Sequence, residues 1–533
     1  MLEMRGDICY NNSYCANSIQ RKISNVSASK EKKNRGVQRG AGTDKKRNAA
    51  DAAALEAKKF RRNAIIAVVC IVLVVAVAVA VRVGLLDSVI YRNYTGLTAV
   101  KVGNTDYSAA EVDVFYRNTY NNLYNSYGSF ASYVFDTSKS LTEQQYTEDQ
   151  TWAGYLYELT KDNMRQITAL YDAATANGYA MTDADQALID GQMSQVEYYA
   201  AMSGLSNVDQ YLSALYGKGV DRKVLESVLT KMVVAQGYSE QISDGFSYAQ
   251  DALDAYYAEH TGELDFIHYY YYLVSTSNVA FDELADGKKA DAAREAAETI
   301  AGAKDAEAFT EAVAAFAEDA APTEQYIQGS DLTASYSDYA GWLLDSARKE
   351  GDTTVVDTDS GSYALLFVER DGNDYLSKSM RHILIQVEAD ENYEYTDEAK
   401  DAAKARIEEI EAEWKADPTE EHFAELANQY SDDGGSNTTG GLYENIRRKQ
   451  MVTNINDFLF NETHSVGDTA VVLGESGSYL GWHLVYFAGD GPRYRDYLAE
   501  NAMRNEDYAA WQDQLVAGYE VSEGSGREYV NLG

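Results

Sequence analysis

Cysteine is nearly absent from this chain, and the positions it does occupy narrow the chemistry. Only Cys9, Cys15 and Cys70 occur, so everything after residue 70 is stabilised without disulfides or thiolate metal centres. A cysteine nucleophile in the body is likewise excluded. Proline is as scarce, with Pro322, Pro418 and Pro492 alone, which permits long helices and rules out polyproline linkers. There is no glycine-rich phosphate loop, no CxxC pair and no His–Glu metal spacing, so neither a metal nor a cofactor is assigned. Basic charge is also in short supply: 46 Lys and Arg face 84 Asp and Glu, a net charge of −38. A body that acidic repels nucleic acid, which is excluded as a partner.

The scarce basic residues are concentrated at one end. Residues 1–62 hold 15 Lys and Arg against 6 Asp and Glu, a head of +9 before a body of −47. Residues 1–50 lack apolar periodicity and read as disordered. Residues 64–81, AIIAVVCIVLVVAVAVAV, form an unbroken apolar run of 18 residues, and after Arg82 the run continues to Leu86. That length fits a membrane-spanning helix over 64–86. Lys58, Lys59, Arg61 and Arg62 precede it, so the positive-inside rule places residues 1–63 in the cytoplasm and the body outside. The long basic head, and the lack of a small-x-small site before a charged start, favour a retained single-pass anchor over a cleaved signal peptide. Cys70 lies within the run and is not read as a lipid-attachment site.

A chain of 533 residues needs several cores. Residues 105–262 read as a helical domain, with helices near 148–177, 183–201, 207–216, 220–242 and 247–258. Its first helix starts at a capping box of Ser108 and Glu111. Tyrosine is frequent here, as in EYYAAMSGLSNVDQYLSALYG. The pattern suits an amphipathic core stripe, and it also suits an aromatic surface for unfolded chains. Residues 493–520 form an amphipathic C-terminal helix expected to complete this domain.

Between these helices the sequence repeats itself. FIHYYYYLVS at 266–275 aligns with MRHILIQVEA at 380–389, an offset of 114 residues. The alignment pairs His268 with His382, Phe309 with Phe423 and Asp319 with Asp433; GDTTVV and SGSY then recur as GDTAVV and SGSY. Each unit reads as a strand, two helices, an acidic turn, a short helix and two strands. The expected fold class is therefore α+β multidomain, each unit an antiparallel sheet flanked by helices.

In the second unit RHILI at 381–385, HFAELANQYSDDGGSNTTGG at 422–441, QMV at 450–452 and SGSYLGWHLVYF at 476–487 resemble the parvulin family of peptidyl-prolyl isomerases over residues 378–490. The resemblance implies a polar centre of His382, Asp433 and His483. It also implies a proline pocket of Leu442, Met451, Ile455 and Phe460, with Ser478 as a further substrate-binding residue. The pattern departs from the family in four places. GGLY replaces the usual GGDLG, one residue stands inserted before QMV, Ile455 replaces a phenylalanine, and the loop before His483 is longer. The first unit, 264–371, lacks a histidine matching His483 and reads as a degenerate, inactive parvulin-like domain.

Anchor, SurA-like helical domain, two parvulin-like units and a closing helix are similar in arrangement to extracytoplasmic foldases of the PrsA and SurA type. That resemblance implies an isomerase acting on X–Pro bonds of unfolded or nascent secreted polypeptides. The alternative is a non-catalytic holdase that binds such chains through the helical domain and inactive parvulin platforms. A structural envelope role for the acidic body is a third reading, motivated by charge alone.

Overall fold

The computed structural model describes residues 93–533, apart from 206, 392, 462, 477 and 478. The basic head 1–63 and the apolar run 64–86 lie outside the described residues. Among the described residues no helix is long and apolar enough to cross a membrane. The chain forms two compact units: residues up to Ser247 together with Arg504–Gly533, and Tyr248–Met503.

The first unit is built on helices α1 (Ala109–Ser126), α2 (Trp152–Ala176), α3 (Asp183–Met202), α4 (Val208–Leu215) and α5 (Arg222–Asp244). The Ser108/Glu111 capping box is present at the start of α1. Phe115, Leu156, Met164, Leu212 and Leu225 are fully buried between the helices, each contributing about 1.5–3 kcal/mol by leaving water. The tyrosines divide between the two roles their pattern allowed. Tyr107, Tyr116 and Tyr157 are core residues, whereas Tyr133 and Tyr198 are 81% and 61% exposed. The helical reading missed a small antiparallel sheet of β1 (Thr98–Val102), β2 (Thr105–Ser108) and β11 (Val521–Glu523), in the order β11-β1-β2. A three-residue strand from the chain's end carries no periodicity, and only its pairing with β1 makes it a strand.

Helix α6 (Gln250–Glu259), assigned by sequence to the helical domain, belongs to the second unit. Its Leu253 packs with Leu264 and Ala499, so the apolar face of α6 is covered there. Ala499 lies on α14 (Tyr494–Val516), whose residues from Arg504 onward count with the first unit.

The second unit contains two four-stranded antiparallel sheets of the same connectivity. The first, in order β4-β3-β6-β5, uses β3 (Phe266–Ser275), β4 (Thr323–Gln328), β5 (Thr353–Thr358) and β6 (Gly361–Asp371). The second, β8-β7-β10-β9, uses β7 (Leu376–Gln386), β8 (Leu442–Ile446), β9 (Thr469–Ser476) and β10 (Tyr479–Arg493). Edge strands β4 and β8 were not read from sequence, because TEQYIQ and LYENI carry too many polar residues to stand out from a loop.

A long helix pair covers one face of each sheet. In the first sheet α7 (Asp286–Ile300) and α8 (Ala306–Phe316) pack on Val274, Ala364 and Leu366; in the second, α11 (Asp397–Ala416) and α12 (Glu420–Tyr430) pack on Ile383, Leu484 and Tyr486. Short helices cover the other face. These are α9 (Gly329–Ser335) and α10 (Ser337–Leu343) over Ile267, Tyr269 and Phe367, and α13 (Thr453–Leu459) beside Met380, Val485 and Phe487.

These faces correct one pairing of the repeat. Phe309 and Phe423 do correspond, each fully buried beneath its helix pair. His268 and His382 do not. His382 shares the short-helix face with Met380, whereas Tyr269 occupies the matching face of the first sheet, packed with Leu332, Tyr339 and Leu343. His268 points to the opposite side, its ring beside Tyr270 and Tyr326. Side chains alternate along a strand, so a slip of one residue carries a histidine through the sheet. Asp319 is correspondingly exposed, in a turn with φ of 65°.

Candidate active site

Strand alternation on β7 sets Met380, His382 and Leu384 on the short-helix face. β10 supplies His483 opposite Leu384 and Val485 opposite His382, so the two histidines are diagonal neighbours on one face. Their rings lie nearly parallel, with Nδ1 of His382 3.1 Å from Nδ1 of His483. Gly474 on β9 makes room for this ring, since a Cβ there would sit 2.6 Å from Nε2 of His483.

Asp433 is brought to His382 by a stapled segment after α12. The amide of Leu384 donates to Oγ of Ser431 at 3.1 Å, the amide of Asp432 donates to the carbonyl of Leu384 at 2.8 Å, and the amide of Gln386 donates to Oδ2 of Asp432 at 2.9 Å. The two aspartates therefore divide the work: Asp432 fixes backbone while Asp433 faces the site. Oδ2 of Asp433 lies 2.8 Å from Nε2 of His382 and accepts from the hydroxyls of Tyr443 at 2.9 Å and Ser436 at 2.5 Å. The chain then turns into β8 through Gly440 and Gly441, both left-handed at φ of 68° and 70°. A Cβ on Gly441 would stand 2.3 Å from the carbonyl oxygen of His382, so a side chain at this position would displace the histidine strand.

The hydrogen bonds form a single directed chain. Asp433 as a carboxylate takes a proton donor, which assigns the hydrogen of His382 to Nε2 and leaves its Nδ1 as acceptor. His483 then carries its hydrogen on Nδ1, and its Nε2 accepts from the Tyr479 hydroxyl at 3.2 Å. The hydrogen bond from His382 is the main reason the Asp433 carboxyl is held well below the usual range, with Ser436 and the amide of Gly435 adding to it. Burial pushes the His483 imidazole down to about 3, reinforced by the neighbouring His382. Tyr443 rises to about 12 through burial and then the charge of Asp433. The site therefore holds one fixed negative charge behind an uncharged His483.

Met380, Leu384, Tyr443, Met451, Val452, Ile455 and Tyr479 line a cavity of about 220 Å³ in front of His382, His483 and Asp433. Of the pocket residues expected from sequence, Met451 and Ile455 line it. Leu442 does not: it alternates with Tyr443 along β8 and so lies on the other side of the strand. Phe460 packs edge-on against Tyr375 at 5.7 Å and against the Met380–Ile455 cluster, and does not itself line the cavity. Ser478 lies outside the described residues. Met380, Leu384, Tyr443, Val452 and Tyr479 were missed. Parity along the strands could have found Met380 and Leu384 from His382, and Tyr479 from His483.

Residues 382–489 match the family model described as Rotamase: PPIC-type PPIase domain. This segment is a parvulin-type peptidyl-prolyl isomerase domain, in agreement with the motifs. No curated protein matches the chain.

Proposed function

We propose that this protein is a membrane-anchored extracytoplasmic foldase, its second sheet isomerising X–Pro bonds in unfolded or nascent secreted polypeptides while the helical unit grips them. The observation that carries the isomerase reading is the Asp433–His382–His483–Tyr479 chain at the back of an apolar cavity. The basic head before the apolar run supports a single-pass anchor with a cytoplasmic N-terminus. The order of helical region, paired sheets and closing helix supports kinship with PrsA- and SurA-type foldases.

Turning an X–Pro bond means losing amide resonance, at a barrier of about 18–20 kcal/mol. No bond is made or broken, so a site succeeds by favouring the twisted amide over the planar one. Met380, Met451 and Ile455 hold the pyrrolidine ring out of water. The planar amide carries partial negative charge on its oxygen, which the Asp433 carboxylate, relayed through His382 and the uncharged His483, disfavours. The Tyr479 hydroxyl can turn to follow the rotating carbonyl. In this account Asp433 supplies a field and is not a nucleophile.

Exchange of an Ala-Pro tetrapeptide by residues 93–533 tests the proposal. Replacing His382→Ala is expected to reduce kcat/KM about a hundredfold, and Met451→Ala to raise KM several-fold. Rates that neither substitution alters would sink the reading. A holdase is favoured instead by the exposed Phe130, Tyr133, Tyr198 and Met202, at 68%, 81%, 61% and 68%. Under that alternative, changing these four to serine abolishes suppression of client aggregation, and the unaltered protein shows no tetrapeptide exchange above background.

A further inference from the structure

The residues RRKQ before Met451 mark the site of the insertion by which this chain departs from the parvulin pattern, and the proposed chemistry does not use them. Two of them, Arg447 and Lys449, reach the first sheet. Arg447 lies over the ring of Phe266 at 4.6 Å and Arg448 over Tyr375 at 4.6 Å; Lys449 lies over Tyr326 at 4.8 Å. Nζ of Lys449 donates to Oε1 of Glu369 at 3.0 Å and lies 3.1 Å from Nδ1 of His268. An ammonium has no acceptor, so this contact requires an unprotonated Nδ1 and puts the histidine's hydrogen on Nε2. That nitrogen faces Oε1 of Glu324 at 2.7 Å. Both contacts thus agree on one tautomer, in a residue only 8% exposed.

The Lys449 backbone is itself constrained. Its φ is 58°, unusual for a residue with a Cβ, and its amide donates to Oδ1 of Asn456 on α13 at 2.7 Å. Two residues on, Met451 and Val452 form one wall of the cavity. The strain sits where the side chain is captured from one direction and the backbone from another, the arrangement that holds a loop in an otherwise disfavoured form.

We propose that the first sheet is the positioning platform for the second sheet's pocket: His268, Glu324 and Glu369 hold Lys449, and through it the Met451–Val452 wall. His268, left without a role once its pairing with His382 fails, is then a positioning residue that acts on the proline pocket from a neighbouring sheet. The inference rests on the pocket reading above and assigns the degenerate unit a task other than catalysis or client binding.

The test uses the full chain carrying His268→Ala, Lys449→Ala, both together, or Glu369→Gln, which keeps an acceptor. Each alanine variant raises KM for the tetrapeptide about threefold, the scale of one partly exposed charged contact, with kcat unchanged. The double variant is no worse than either single one, and Glu369→Gln stays close to the parent. Multiplied effects in the double variant, or an unchanged KM in Lys449→Ala, would overturn the proposal. If His268→Ala fails to fold, Lys449→Ala decides, since its side chain is partly exposed. If the parent shows no turnover, the isomerase reading fails alone. Peptide affinity from the Met451 methyl resonance then reads the clamp, with the same threefold weakening expected and no weakening overturning it.

Discussion

The two sheets of the second unit share strand order, connectivity and helix placement, and they differ in what stands on the face under the short helices. In the second sheet that face carries His382 and His483, and α13 stands far enough off to leave a cavity beside them. In the first, Tyr269 fills the place of His382 and packs against Tyr339 and Leu343, so the face is solid core. A pocket and a core are alternative solutions for one fold, chosen by side-chain volume and by strand register. Filling gains the burial of large rings. Leaving the space open forfeits that gain and exposes titratable groups to a dry environment, a cost typical of working sites.

The widest difference expected between the sheets lies in their response to acid. The His483 imidazole falls to about 3 in the fold, against about 6.5 in an unfolded chain. Between those values the unfolded chain binds a proton that the fold refuses, so stability fully present above pH 6.5 drains away as pH falls toward 3, at up to about 1.4 kcal/mol per pH unit. The low Asp433 carboxyl adds loss of the same sign below about pH 4. Tyr269 and Tyr339, raised by burial, stay neutral throughout. Urea unfolding followed separately through Trp482 and Trp342 should show the second sheet weakening first, and His483→Gln should remove most of that slope. Equal weakening of both sheets would remove this contrast.

A smaller effect comes from the paired glycines that only the second sheet uses to reach its edge strand. Gly441→Ala forces a Cβ into a left-handed position against the His382 carbonyl and is expected to cost about 2 kcal/mol or more, measured by the urea midpoint. Under the proposed function tetrapeptide turnover should fall with it, because the displaced strand carries His382. The smallest effect has the opposite sign and belongs to the first sheet. The Tyr269 and Tyr339 hydroxyls are buried close together without a hydrogen bond of ordinary geometry. Tyr269→Phe should therefore raise the stability of the first sheet by about 1 kcal/mol in the same measurement, and a loss would mean the hydroxyl is satisfied in solution.

How much of this was legible in the sequence depended on the range of the interaction. The capping box at Ser108 and Glu111, the long helices and the duplicated strand–helix–helix pattern are local, and they were read where they lie. The motifs around His382, Asp433 and His483 named a polar centre whose members the fold brings within hydrogen-bond reach. Met451 and Ile455 followed from the parvulin resemblance. Leu442 and Phe460 were misplaced for reasons no local window contains: the direction of β8 decides that Tyr443 faces the cavity, and the end of α13 turns Phe460 onto Tyr375. β11 and the edge strands stayed hidden because pairing, and not composition, makes them strands.

The sequence by itself determined the chemistry available: residue types, a strong apolar run, a repeat, and the spacing that marks residues 382–489 as an isomerase domain. Only the tertiary structure decided which copies of that chemistry meet. A match of letters placed His268 beside His382 in the alignment, while strand parity sent it through the sheet to Glu324, Glu369 and Lys449. Side-chain direction in a sheet has a period of two, so a displacement of one residue, nearly invisible in an alignment, exchanges the two faces completely.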